Sequence, residues 1–217
     1  MGVIPAAGYA TRLQPLACSK EVYRVRGRPV MDFILERMRL ARCDELRVVT
    51  RPDKLDVIRH ARRRGAVVVQ ARPASLAQSL LCGLRGLGPG DEVLIGFPDS
   101  IWEPIDGYRP VLELLRSGWK VALGLFEAED MQRYEPVLVG PGGRVSAIEF
   151  KPANPSSNWL WGCAAASAGV LLGMRGYDEP GLFFDWLSRS GAVGAVRLSS
   201  SYLDMGTPEG LRAAVGA

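Results

Sequence analysis

The residues best suited to chemistry in this 217-residue chain stand at the ends of short apolar runs. After Val3-Ile4-Pro5 comes Ala6-Ala7-Gly8-Tyr9-Ala10-Thr11-Arg12-Leu13, and Lys20 follows in Cys18-Ser19-Lys20-Glu21. Small side chains let backbone N–H groups approach an anion. An arginine adds a fixed charge and a bidentate fork suited to phosphate. The spacing matches neither Gly-x-x-x-x-Gly-Lys-Ser/Thr nor Gly-x-Gly-x-x-Gly. From the residues alone, a phosphate loop and an ordinary surface turn stay equally open. Asp99 follows the apolar run that starts at Glu92, and Asp204 follows Tyr202-Leu203. A carboxylate at a strand's end can ligate Mg2+ or cap the next turn. Together the two could hold one Mg2+ beside phosphates, but only folding could join positions so far apart.

Charge and composition frame these candidates. Of 27 basic residues only four are lysines, Lys20, Lys54, Lys120 and Lys151. Coding bias explains such a preference for arginine; equally, a retained lysine is a candidate for a role that arginine cannot fill. The formal charge is only +4. The cluster Arg62-Arg63-Arg64 sits at a predicted helix end, where it offsets the helix dipole, so nucleic acid is not the expected partner. Cys18, Cys43, Cys82 and Cys163 form no Cys-x-x-Cys pair, and His60 is the single histidine, which gives no zinc pattern. Isolated thiols without a recognisable signal segment suggest a reducing, cytoplasmic setting. No apolar run approaches the ~18 residues of a membrane span. His60 reads as an inert residue on a surface helix.

The elements that must position these groups alternate from the start. Val3-Ile4, Arg47–Thr50, Ala66–Gln70, Glu92–Gly96 and Val121–Phe126 read as strands, and 30–41, Leu55–Arg64, 76–87 and Val111–Arg116 as helices. That rhythm predicts an α/β fold: a Rossmann-like three-layer αβα arrangement around a mostly parallel mixed sheet. In the second half, Val137–Val139 and Arg144–Phe150 flank a glycine turn and read as an inserted β-hairpin lobe. An apolar segment follows from Trp159, then a helix near Leu182–Ser190 and a strand near Val193–Leu198. Thr207-Pro208-Glu209 opens the last helix, with Thr as N-cap and Pro behind it. The expected organisation is one catalytic domain over 1–217 with no C-terminal extension. In such sheets ligands bind beyond the strands' carboxyl ends, where the candidates fall.

With these stations in order, the chain resembles the sugar-1-phosphate nucleotidyltransferases, such as glucose-1-phosphate thymidylyl- and uridylyltransferases. The likeness runs through Ala6–Leu16 with Lys20, Val69-Gln70 with Ser75–Gln78, Pro98-Asp99-Ser100, Glu149-Phe150-Lys151-Pro152 and Leu203–Glu209. It implies transfer of a nucleotidyl group from a nucleoside triphosphate to a sugar 1-phosphate, with pyrophosphate released and Mg2+ as cofactor. By resemblance, Arg12 holds the leaving pyrophosphate, and Lys20 holds the α-phosphate and the sugar phosphate. Asp99 and Asp204 carry the metal. Ala6, Ala7, Gly8, Thr11, Gln70 and Ser75 form the nucleotide site. Lys151, with Phe150 and Gly162, forms the sugar-phosphate site. Gln70 would pair with the imide edge of uracil or thymine, with cytosine open. No nucleic acid or membrane partner is implied, and the oligomeric state is not fixed.

Departures from the family pattern bear on the acceptor. Tyr9-Ala10 stands where a second Gly is usual, and Pro98 where Gly precedes the Asp. Phe150 occupies the place of the Glu before Lys-Pro, and Phe cannot accept a hydrogen bond from a sugar hydroxyl. Glu149, its neighbour on a strand, would face the other way. Gly162-Cys163-Ala164-Ala165-Ala166 also departs. The expected pocket is more apolar than one for glucose, which suits a modified sugar or a non-sugar phosphate. Trp159 and Trp161 could stack on a sugar or simply pack. Two other readings stay open: a weakly catalytic nucleotide-sugar-binding regulator, and a cytidylyltransferase for a non-sugar phosphate.

Overall fold

The computed structural model describes residues 1–199 and 201–216. In chain order the elements are β1 (Gly2–Pro5), β2 (Arg24–Val25), β3 (Arg28–Pro29), α1 (Met31–Leu40), β4 (Leu46–Thr50), α2 (Leu55–Arg63) and β5 (Val67–Gln70). Next come α3 (Leu76–Gly83), β6 (Glu92–Gly96), β7 (Ser100–Trp102), α4 (Tyr108–Arg116), β8 (Val121–Glu127), β9 (Val137–Val139) and β10 (Val145–Ile148). The chain closes with β11 (Trp159–Ser167), α5 (Ala168–Leu171), α6 (Pro180–Ser188), β12 (Val193–Ser199), β13 (Tyr202–Asp204) and α7 (Pro208–Gly216).

Seven strands form the central sheet in the order β12-β8-β11-β6-β1-β4-β5. The pairs β1–β4, β1–β6, β4–β5 and β8–β12 are parallel, and only β11 runs antiparallel to both its neighbours. The interior strands are continuous apolar runs because both faces are covered. In β11, Ala164, Ala165 and Ala166 are fully buried, and such small residues let the layers approach closely.

One face packs under α1, α2 and α4, the other under α3, α5, α6 and the β9–β10 hairpin. In α1, Met31, Ile34, Leu35 and Met38 recur at the spacing of one helical face and are fully buried. Truncating any one of them to Ala would cost roughly 2–5 kcal/mol. The architecture is therefore the expected three-layer α/β arrangement. A third small cluster, built from Val25, Val30, Phe33, Ile101, Met205 and Ala214, seats α7 against the β2–β3 ribbon and α1.

Boundaries shift in three places. Helix α3 ends at Gly83 rather than running to Leu87, because the chain turns at Gly86 in a left-handed conformation (φ 80°). Helix α4 begins earlier, at Tyr108, whose hydroxyl donates to the Ile95 carbonyl at 2.9 Å. Strand β10 stops at Ile148, and Glu149 and Phe150 lie beyond its regular ladder; the Ile148 N–H donates to Asp185 Oδ1 at 2.9 Å, and the Glu149 N–H to the Pro136 carbonyl at 2.9 Å. No helix among the described residues is long and apolar enough to cross a membrane.

Candidate active site

Parallel pairing of β1 with β6 brings their carboxyl ends side by side, with Gly2 opposite Leu94 and Val3 opposite Ile95. The 6–13 loop and Asp99 therefore leave the sheet at the same edge. A separate antiparallel ribbon, β7 with β13, sets Asp204 opposite Ser100, and Met205 N–H donates to the Asp99 carbonyl at 2.8 Å. That ribbon joins the two distant carboxylates.

Lys20 Nζ lies 2.5 Å from Asp99 Oδ2, with the two side chains 19% and 14% exposed. Asp204 Oδ1 accepts the Gly206 N–H at 2.7 Å. A Cβ on Gly206 would lie 2.9 Å from Asp204 Oδ1 and 3.2 Å from Asp99 Oδ2. Both carboxylates thus line a space that is open because residue 206 has no side chain. Burial raises the Asp204 pKa, and the neighbouring Asp99 charge raises it further, against Gly206 N–H, Lys20 and Arg12. Burial alone would lower the Lys20 pKa, but the charge and hydrogen bond of Asp99, with Glu21 and Asp204, raise it above its usual value. The site holds an excess of negative charge in a sheltered place, with one ammonium group set against it.

The 6–13 loop begins buried at Ala6 and Ala7 and emerges at Gly8. Ala10 is left-handed (φ 52°), and Thr11–Leu13 forms a single 3-10 turn anchored by buried Leu13. Thr11 and Arg12 are exposed, and Arg12 makes no hydrogen bond or ion pair among the described residues. Gln70 ends the edge strand β5 and is exposed. The Ser75 hydroxyl accepts the Gln78 N–H at 3.2 Å and caps α3.

A cavity of about 250 Å³ opens beside Asp99 and Asp204, walled by Phe97, Tyr134, Trp161 and Tyr202, with Glu135, Lys151 and Glu179 also facing it. Lys151, which has a left-handed backbone (φ 43°), thus shares a chamber with both carboxylates. Phe150 and Gly162 do not line it. Phe150 is 44% exposed, with the Lys151 ammonium 4.7 Å from its ring centre. Gly162 lies behind the wall, where a Cβ would meet the Tyr202 ring at 2.5 Å. Glu149 is turned to the backbone, its Oε2 accepting Ser156 N–H at 2.9 Å.

One acid of this cavity, Glu135, carries no motif that marks it in the sequence. Trp161 Nε1 donates to its Oε2 at 2.6 Å. Burial drives the Glu135 pKa up to about 7, against the Trp161 hydrogen bond, and nearby Glu179 raises it further while Lys151 lowers it. The only signal in the sequence was an acid embedded in the otherwise uncharged run Tyr134-Glu135-Pro136-Val137-Leu138-Val139. Trp161 packs on Phe97 and Phe184 (5.3 and 5.4 Å between ring centres) while its edge reaches the cavity. Trp159 instead lies under Arg197, 4.9 Å from the guanidinium, and takes no part in the wall.

His60 is not a surface residue. It is 8% exposed, its Nε2 lies 2.7 Å from buried Asp32, and Arg64 Nε reaches the same carboxylate oxygen at 3.1 Å. The strongly amphipathic α2 turns this residue inward with Val57, Ile58 and Ala61. Lys54 is likewise buried, and so is its partner Glu21, at 2.6 Å.

The sequence pattern of the family described as MobA-like NTP transferase domain matches residues 2–150. A glucose-1-phosphate thymidylyltransferase of Neisseria meningitidis is 23% identical over 95% of this chain and 72% of its own length. The bifunctional protein GlmU of Azorhizobium caulinodans is 32% identical over 78% of this chain, which spans 38% of that protein. Among solved structures, a UDP-glucose pyrophosphorylase from Acinetobacter baumannii superposes with a TM-score of 0.84 at 18% identity, over 98% of this chain and 90% of that one.

Proposed function

This chain belongs to the MobA-like NTP transferase family, and from that premise we propose that it transfers a nucleotidyl group from a nucleoside triphosphate to a sugar 1-phosphate. The observation that carries the reading is the pair of carboxylates, Asp99 and Asp204, lining one cavity together, with the Lys20 ammonium on Asp99. An acceptor phosphate oxygen attacks the α-phosphorus in line. The bond from that phosphorus to the bridging oxygen breaks, and pyrophosphate leaves with the electron pair. The attacking oxygen is already anionic, so no Ser, Cys or His nucleophile is needed, and catalysis consists of positioning and charge neutralisation.

The donor set suits Mg2+, a hard cation that takes one or two carboxylates plus phosphate oxygens. Asp99 and Asp204 would hold it, and the Gly206 space that a Cβ would fill gives it room. When bound it supplies electrophilic polarisation of the phosphates and offsets their charge. Lys20, a compact ammonium, would follow the α-phosphate through inversion, and Arg12, without a partner among the described residues, would clamp the leaving pyrophosphate. Lys151 would anchor the acceptor phosphate from the far side of the cavity. Gln70 would read a uracil or thymine edge, which makes UTP or dTTP the favoured donor.

The cavity walls favour a second acceptor class. Four aromatic rings stand in its wall among the charged groups Asp99, Arg133, Glu135, Lys151, Glu179 and Asp204, while Phe150, in the place of the family's Glu, lies outside it. A modified sugar, or a non-sugar alcohol phosphate with CTP as donor, suits such a wall. Pyrophosphate release with each common nucleoside triphosphate, Mg2+ and a panel of sugar 1-phosphates and alcohol phosphates tests both readings. Turnover with one pair is the expected result. Tight nucleotide binding without turnover on any pair would overturn catalysis in favour of a regulatory binding role.

A further inference from the structure

The segment joining β4 to α2 holds the 6–13 loop from behind. Lys54 Nζ donates to the carbonyls of Ala6 (3.0 Å) and Gly8 (2.9 Å) and to Glu21 Oε1 (2.6 Å). Its three ammonium hydrogens are thereby all used. Arg51 Nε donates to the carbonyl between them, that of Ala7, at 2.9 Å, and its guanidinium lies 4.5 Å from the Tyr9 ring centre. Three successive carbonyls are thus taken by two cations. The peptide unit is planar and trans, so each captured carbonyl fixes the N–H of the next residue in the opposite direction. The N–H groups of Ala7, Gly8 and Tyr9 find no acceptor among the described residues, although Ala7 is only 7% exposed. A buried N–H without a partner is costly and rare, and a run of free N–H groups is an anion cradle.

The same segment governs Lys20. Glu21, the residue after it, is fully buried, with its Oε1 on Lys54 and its Oε2 without a partner among the described residues. Asp56 accepts the Ser19 N–H and hydroxyl at 2.7 and 2.8 Å. Lys20 is therefore held on both sides, through Ser19 and Glu21, by residues of the 51–56 segment.

We propose that Lys54, with Arg51, is a positioning residue that turns the backbone N–H groups of Ala7, Gly8 and Tyr9 toward the nucleotide's phosphates. The role rests on the nucleotidyltransferase reading for its ligand and on the hydrogen bonds above for its geometry. It explains a third lysine in a chain that otherwise uses arginine: one ammonium, buried, bonds two carbonyls and an acid, where a planar guanidinium would not fit the same three directions.

The test is Lys54→Met/Glu21→Gln, which removes both buried charges together so that neither is left unpaired. Two measurements are made on the whole protein: the rate of tryptic cleavage after Arg12, followed by mass spectrometry, and the steady-state constants. The expected result is faster cleavage, with KM for the nucleoside triphosphate raised about tenfold, the worth of a lost hydrogen bond of about 1.4 kcal/mol. KM for the acceptor should change less than that for the nucleotide, since Lys151, which anchors the acceptor phosphate, has no contact with the 51–56 segment among the described residues and Asp56 still holds Ser19 beside Lys20. A wild-type cleavage rate overturns the proposal, and so does faster cleavage with an unchanged nucleotide KM. Should the double variant lose its cooperative thermal transition, Arg51→Met, which frees the Ala7 carbonyl along with that of Pro73, is read by the same two measurements and expected to move both in the same direction. If wild-type protein turns over no substrate pair, the nucleotidyltransferase reading fails, and cleavage after Arg12 still decides the clamp.

Discussion

Replacing Glu135 with Gln isolates the energetic cost of the buried acid in the cavity. Gln keeps the size of the side chain and leaves a carbonyl oxygen to accept the Trp161 N–H, now 2.6 Å from the carboxylate. In the wild type the pKa rises from 4.5 to about 7 on folding. Between those values the folded chain binds more protons than the unfolded one. Stability from this group is therefore complete below pH 4.5 and is lost as the pH rises through 7. The full loss is about 3 kcal/mol, of which roughly 2.5 kcal/mol falls between pH 5 and pH 8. The variant has no such dependence at this position. Urea unfolding of both proteins at pH 5, 6, 7 and 8 gives a difference in which all other groups cancel. That difference should move in the variant's favour by roughly 2.5 kcal/mol across the range. Parallel stability profiles would refute the claim that its surroundings in the folded chain raise the Glu135 pKa.

Other substitutions test the remaining parts. Lys20→Ala should lower turnover by about a thousandfold or more, with the circular dichroism spectrum and thermal transition retained; near-wild-type activity would remove Lys20 from the reaction. Asp204→Asn should weaken the dependence of turnover on Mg2+. By relieving the repulsion from Asp99 it should also leave the metal-free protein at least as heat-stable as the wild type, read by differential scanning calorimetry. Asp32→Ala should destabilise the fold by about 2–3 kcal/mol, because His60 and Arg64 lose their shared acceptor. Its kcat should stay unchanged, since the triad lies away from the carboxylate pair.

The legibility of the chain followed the strength of each physical signal. Val3-Ile4, Arg47–Thr50 and Glu92–Gly96 were readable as strands because a strand covered on both faces must be continuously apolar. The positions just after them were readable as a site because sheet edges expose those positions. The α3 end was not readable: Leu84 and Leu87 continue the helical apolar spacing, yet the chain turns away after Gly83, whose Cβ would lie 2.4 Å from Val3 Cγ1. Phe150 falls within the strand expected over Arg144–Phe150, but the regular ladder of β10 ends at Ile148, and beyond it only Glu149 N–H on the Pro136 carbonyl and Lys151 N–H on the Tyr134 carbonyl continue the pairing. Glu135 and Lys54 gain their character from burial, which no local pattern encodes. Lys54 alone left a trace, in the scarcity of lysine. His60 has no local signal of burial, because a single polar residue on a basic helix looks solvated and its buried partner, Asp32, lies on another helix.

The β7–β13 ribbon separates the architecture of this chain from its chemistry. A polypeptide emerging from the ribosome has every strand of the central sheet once β12 is made, while only one of the two carboxylates yet exists. Asp204 arrives with a three-residue strand that pairs outside that sheet. The framework can therefore form first and the charge cluster close onto it afterwards, so the repulsion between Asp99 and Asp204 opposes the final docking of the ribbon rather than the assembly of the core. A cation that binds the pair would act as a latch on that last step, tightening residues 202–214 more than any other part of the molecule.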